Sequence, residues 1–202
     1  LNKEQLRISE LCRNAKNGKR NKRPYTIGYF SGTPSHINDF RVVYQEIIAL
    51  LNDFPEMQLQ VVGFMEFPKE MQPLIQKKRV TFVPLVDFLE LQRLIAQVDV
   101  NIVPLVNNAF TNCKSELKFF EAAAVDTVTV ATPIYTYKHS IREGDTGFLC
   151  EQGQWYNAIL NLYKKPELSA QIAKKAESYC LDTYAGETFK KQICTAYDFF
   201  LK

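Results

Sequence analysis

Histidine is nearly absent from this chain, with two residues in 202. Cys12, Cys113, Cys150, Cys180 and Cys194 are scattered without a CxxC pair, so the usual spacings of structural zinc sites are missing and no metal ion is implied. An odd cysteine count in a chain long enough to bury a substantial core also speaks against a secreted, disulfide-framed fold. A reducing, cytoplasmic setting is expected. No run approaches the roughly 20 apolar residues needed to span a bilayer, and the charged opening has no signal-peptide pattern. Excess charge is missing as well: 25 Lys and Arg face 22 Asp and Glu, a net +3 that is too mild for wrapping nucleic acid. Neither a full GxGxxG nor a P-loop lysine motif occurs, and no Ser-His-Asp order emerges.

What basic excess there is gathers at Lys16, Lys19, Arg20, Lys22 and Arg23, ahead of the first strand-like run. Residues 1–23 therefore read as a basic leader or interdomain linker, in which Leu6, Ile8 and Leu11 offer at most a short amphipathic helix. A phosphate-binding or membrane-surface patch is the competing reading. The chain opens on Leu1 rather than Met, which points to processing or excision and makes a missing partner domain a live expectation.

From residue 24 onward, short β-rich runs alternate with helical periodicity. Strands are predicted at 25–30, 59–63, 80–83, 98–103, 128–131 and 146–150, most of them closed by Gly or Pro. Between them lie helical patterns, including one capped by Asp39 with Val43, Ile47, Leu50 and Leu51 on one face, and one starting at Asp87. A polar loop is expected over 106–114 and a helix over 115–124. Three helices, over 154–163, 167–180 and 185–201, close the chain. Such βα alternation predicts an α/β fold: a Rossmann-like, mostly parallel, six-stranded sheet over 24–202 with helices on both faces. Ligands of such sheets sit beyond the carboxyl ends of the strands, which selects the loops at 31–38, 84–87, 104–115 and 132–137.

Two of those loops carry chemistry. Ser31-Gly32-Thr33-Pro34-Ser35-His36 leads from a strand toward a helix, where Gly32 allows backbone N–H groups to approach an anion. A plain turn fits the same residues. In Asn112-Cys113-Lys114-Ser115-Glu116-Leu117-Lys118-Phe119-Phe120-Glu121, Lys114 stands at the positive end of a helix, an awkward place for a cation without an anion such as a diphosphate. Glu121, among Phe119, Phe120 and Ala122, is costly in apolar surroundings unless hydrogen-bonded; two ribose hydroxyls would suit it, and so would a local cap or ion pair. His36 is a candidate contact. Pro133 to His139 follows the next strand and could bring a hydroxyl, an imidazole or backbone N–H groups toward a sugar, while a helix-surface place for His139 and ordinary packing for Tyr135 and Tyr137 fit the same residues; Asp99, Asp126 and Trp155 read as structural.

Taken in order, Gly28-Tyr-Phe-Ser-Gly-Thr33, His36, Asp39-Phe40, Val98 to Leu105, Asn112, Lys114 to Ala122, Val128 to Pro133 and Ile141 to Leu149 resemble the C-terminal domain of two-domain (GT-B) retaining glycosyltransferases of the group 1, family 4, type. The resemblance spans about residues 24–183. It implies a transferase moving a sugar from a nucleotide diphosphate sugar to a glycan or lipid-linked acceptor. Ser31, Gly32, Thr33, Lys114, Ser115, Lys118 and Glu121 would bind the donor, and Lys114, Glu121 and His36 would serve catalysis. Glu121 matches the second acid of the family's paired-glutamate signature, whereas Cys113 stands eight positions earlier, where the first is expected. The acceptor domain would be a missing N-terminal half. The resemblance further implies polysaccharide biosynthesis, a nucleotide sugar as substrate with no resident cofactor, and peripheral association with the inner face of a membrane. An epimerase or hydrolase of the same architecture, or a non-catalytic nucleotide-binding or interaction module, remains the alternative.

Overall fold

The computed structural model describes residues 1–17, 23–33 and 36–200, with the backbone alone at Asn17, His36, Ile37 and Phe200. The expected roles of Lys19, Arg20, Lys22, Pro34 and Ser35, and the last residue of the 185–201 helix, lie outside the described residues.

Six parallel strands form one sheet: β1 (Tyr25–Ser31), β2 (Met57–Gly63), β3 (Val80–Val83), β4 (Val100–Val103), β5 (Val128–Ala131) and β6 (Phe148–Leu149). Their spatial order is β3-β2-β1-β4-β5-β6. The chain steps outward from β1 to β3 and then returns to lay β4 on the other side of β1. The carboxyl ends of β1 and β4 thus face a crevice at the switch in strand order.

The alternation of β1 explains both faces of the sheet. Ile27 and Tyr29 join a core with Ile47 and Leu50 of α3 (Tyr44–Asp53) and Trp155 and Ile159 of α9 (Trp155–Lys164). On the opposite face Phe30 packs with Leu94 of α5 (Phe88–Ala96) and Ala122 of α7 (Leu117–Ala123). The α5 helix starts as the sequence predicts, with the Asp87 carboxylate accepting from the Glu90 amide at 2.9 Å. Short helices α4 (Gln72–Gln76) and α8 (Tyr135–Ser140) precede β3 and follow β5, and α10 (Pro166–Tyr184) and α11 (Gly186–Phe200) follow their expected positions closely.

The leader departs from expectation over Lys3–Asn17, which form α1, a 15-residue helix rather than a short one. Its anchors are polar and long-range, which is why hydrophobic periodicity undercounts it. Gln92 donates to Ser9 at 2.8 Å, Arg13 bonds the Ala124 carbonyl, and Lys16 bonds the Asp126 carbonyl at 2.7 Å and Thr127 Oγ1 at 2.9 Å.

Another long-range contact replaces a local cap. No side chain of Gln154 caps α9, but both oxygens of Glu46 in α3 reach across to accept from Gly153 N and Tyr156 N, each at 2.8 Å. Substituting Glu46→Ala should cost about 1–2 kcal/mol, the range of a lost helix cap. Urea unfolding measures it, and an unchanged midpoint would mean that water replaces the carboxylate.

Candidate functional site

The crevice is assembled from β1, the short helix α2 (His36–Phe40), the loop after β4, the single turn α6 (Ala109–Asn112) and α7. Where β1 ends, Gly63 of β2 pairs with Ser31 in a left-handed conformation at φ +103°. A Cβ there would lie 1.8 Å from the Ser31 carbonyl oxygen, so only glycine lets the two strand ends meet. Beyond them Gly32 is exposed, and the space beside it is open, with nothing within 4 Å of a Cβ position.

The segment expected to be a featureless loop contains α6, closed by a reciprocal cap. Asn108 Oδ1 accepts from Thr111 N at 2.9 Å, and Thr111 Oγ1 accepts from Asn108 N at 3.0 Å. Asn112 then accepts from the Tyr135 amide at 2.7 Å, tying this turn to the start of α8. Asp39 also differs from its expected role. It does not cap α3 but lies inside α2, 5% exposed, where its Oδ1 accepts from Val106 N at 3.0 Å and joins the β1 crossover to the β4 loop.

The helix α7 begins at Leu117, later than expected, and spans only 7 residues. So short a helix has little dipole to offer an anion, and lysine side chains must supply most of the attraction. Lys118 is half-buried, with Nζ 5.7 Å from the centroid of Tyr29 and no hydrogen bond or ion pair for its ammonium among the described residues. Burial, aided by the nearby Lys114 charge, pushes it down to about 8, against the pull of Asp39 and Glu121. One helical turn on, Glu121 is 7% exposed and likewise has no hydrogen bond or ion pair among the described residues. Burial pushes its carboxyl up to about 7 despite Lys118 nearby. Tyr29 and Tyr137, both buried in the core, are pushed above the usual phenol range, chiefly by burial. The nearby acids add to this: Asp39 at Tyr29, and Glu116 and Glu121 at Tyr137.

A cleft of 240 Å³ opens between α2 and the α6 turn, lined by Asn38, Asp39, Val106, Asn108, Phe110 and Lys114 among others. Lys114 Nζ hangs over the Phe110 ring at 5.1 Å. A larger hollow of 710 Å³ lies under α1 and α5 against Thr26, Gln58 and Gln60; Lys16 and Arg23 of the basic leader line it, and none of the residues expected to bind the donor does. Size therefore does not locate the site; the uncompensated charges do.

Of the residues singled out in the sequence, Lys118 and Glu121 come together on α7, with Lys114 close enough to bias Lys118. Ser31 is buried, and its hydroxyl donates to Thr33 O at 3.3 Å, bracing the loop. Thr33 and Ser115 are exposed, as is Cys113, and the His36 side chain lies outside the described residues. Asp39 and Tyr29 were not recognised as members of this cluster. Their partners are distant in sequence, and only the strand order brings them in.

A family model described as glycosyl transferases group 1 matches residues 24–165. Among solved structures, the C-terminal domain of a glycosyl transferase group 1 family protein from Francisella tularensis is similar at 18% identity and a TM-score of 0.65, over 86% of this chain and 93% of that one. Anabaena HepE, solved in complex with UDP and glucose, is similar at 17% identity and a TM-score of 0.70, over 98% of this chain and 53% of its own. Sucrose-phosphate synthase from Thermosynechococcus elongatus gives 20% and 0.70, over 93% and 49%. The chain thus spans about half the length of these last two. Among curated proteins none matches. The structural likenesses, all at low identity, show the fold.

Proposed function

Because this chain belongs to the group 1 glycosyltransferases, we propose that it is the donor-binding half of a retaining enzyme that moves a sugar from a nucleotide diphosphate sugar to a glycan or lipid-linked acceptor. The carrying observation is a half-buried lysine and a buried carboxylate on one helix face, Lys118 and Glu121, neither satisfied by hydrogen bonds among the described residues. A buried charge is tolerated when a ligand completes it. A nucleoside diphosphate completes both, its phosphates meeting Lys118 and Lys114 and its vicinal ribose hydroxyls donating to Glu121. The exposed Gly32–Thr33 loop closes on the diphosphate, and the sugar projects toward the α6 turn, near Cys113.

The chemistry follows from the same charges. As the anomeric bond breaks, negative charge grows on the departing diphosphate, and ammonium groups already fixed beside it stabilise that change without reorganising. The acceptor comes from the facing half, in keeping with the roughly doubled length of HepE and sucrose-phosphate synthase.

Calorimetric titration with UDP, GDP, ADP and their sugar conjugates tests the reading. One nucleotide series should bind at one site, and Lys114→Ala should weaken it about 3- to 10-fold, the loss of one partly screened charge contact. If no nucleotide binds, or if Glu121 and Lys118 variants bind as well as the parent, the donor-site reading fails. Transfer by the two-domain protein, with the product's anomeric configuration read by NMR, tests retention.

A further inference from the structure

Within the crevice one group is out of place. Asp39 is a carboxylate beside the space that, on the reading above, receives a diphosphate, where a second anion should repel the ligand. It is also buried, which costs several kcal/mol for an ion unless something offsets the lost hydration. We propose that Asp39 is a positioning residue for the donor: clasped by the Val106 amide, it anchors the Lys118 ammonium for the diphosphate and couples α2, the β4 loop and α7 into one anion-binding unit. This inference rests on the donor-site reading but concerns a residue that reading does not use.

The geometry joins the three elements through Tyr29. The Lys118 ammonium lies over the Tyr29 ring, that ring packs on Phe40 with centroids 5.0 Å apart, and Asp39 precedes Phe40 in α2. From the other side, the Asp39 carboxylate is fixed by the Val106 amide. Asp39 therefore acts on Lys118 through space, with Tyr29 as their common neighbour.

The groups that face Lys118 show why it needs such a partner. Lys114, from the loop before α7, works against its charge; Asp39 from α2 and Glu121 from its own helix work for it; Tyr29 from β1 offers the face of its ring. Glu121 is a poor guarantor, because its carboxyl titrates near 7 and, in the donor-site reading, it is committed to ribose. Asp39 is held by a backbone amide instead, a contact already made without a nucleotide. Removing its charge leaves Lys118 with burial and Lys114 ranged against it.

Two measurements on Asp39→Asn, which keeps an oxygen for the Val106 amide, test this. In the ligand-free protein, carbon-13 NMR of the lysine ε-carbons should follow Lys118 titrating near 8 in the parent and about one unit lower in Asp39→Asn. UDP-glucose affinity, measured against pH, should fall as Lys118 loses its proton. In the variant that fall should come about one unit earlier, weakening binding about 5- to 10-fold near pH 8 and less than about 3-fold near pH 6. In a Lys118→Arg background, where the cation does not titrate, Asp39→Asn should leave the pH curve unmoved. An unchanged Lys118 midpoint, or a shift that persists with arginine, would overturn the assignment. If parent and variant differ in the NMR titration but UDP-glucose binds neither, the donor-site reading fails and takes the positioning role with it. If UDP-glucose binds and depends on Lys118 but not on Asp39, this inference alone fails.

Discussion

Replacing Glu121 with glutamine should make the ligand-free protein more stable and at the same time cost it about 100-fold or more in nucleotide affinity. Both effects come from one buried carboxylate. Its folded-state pKa, about 7, lies above the ordinary value of 4.5, so between those limits the folded chain holds a proton that the unfolded chain releases. Stability therefore falls as pH rises through that window, and above it the full penalty stands, about 2–4 kcal/mol for a shift of this size. Glutamine keeps the shape without the charge, at the cost of one underused buried amide, about 1–2 kcal/mol. The net gain expected near pH 8 is about 1–2 kcal/mol, and it turns into a loss of about 1–2 kcal/mol well below pH 4.5, where the parent carboxyl is neutral in both states and only the cost of the amide remains. Binding moves the other way, because two charge-assisted bonds to ribose hydroxyls, each worth about 1.5–3 kcal/mol, are replaced by weaker neutral ones. Thermal melts across the pH range and calorimetry on the same variant check the pair. A variant less stable than the parent near pH 8 would show that Glu121 is a satisfied structural acid, as local capping or pairing would have it.

That a site residue should destabilise the empty protein explains how the sequence came to be legible in part. Glu121 stands out because a carboxylate among Phe119, Phe120 and Ala122 breaks the pattern of its helix, and local sequence rules fail where function overrides packing. Strand runs such as Val128 to Ala131 and the Asp87 cap of α5 are equally local signals, and the structure follows them. What escaped is non-local or polar. The single turn of α6 is held by Asn108 and Thr111 without any apolar period. The full length of α1 depends on Arg13 and Lys16 meeting carbonyls more than a hundred residues away. Asp39 resembles a helix cap in sequence because nothing local reveals that its amide partner, Val106, lies 67 residues on. The two lysines look alike in sequence, four positions apart, and only their surroundings separate them: Lys118 is set against Tyr29 and pushed down to about 8, while Lys114 hangs over the exposed Phe110 ring.

That separation yields the other large effect. Lys118→Met should weaken diphosphate binding about 30- to 100-fold, well beyond the loss from Lys114→Ala, and the gap should widen with added salt. Lys114 lies in the loop before α7 over the exposed Phe110 ring, where mobile ions screen it. Lys118 is set against Tyr29 with no partner of its own among the described residues. There the surroundings screen little, and a phosphate oxygen gains more from the same charge. The empty protein bears the cost. With its folded pKa near 8 against an ordinary 10.5, Lys118 opposes folding most below about pH 8, and that opposition fades as pH climbs toward 10.5, since the unfolded chain then holds the extra proton. Methionine, which fills a similar volume without charge, should therefore raise the melting temperature at neutral pH and flatten its rise in alkaline solution. Lys118→Arg should keep most of the affinity and lose the alkaline dependence, because its cation does not titrate in this range. Equal losses from Lys114→Ala and Lys118→Met at high salt would show that both lysines act as surface charges, and the Lys118 ammonium would no longer define the site.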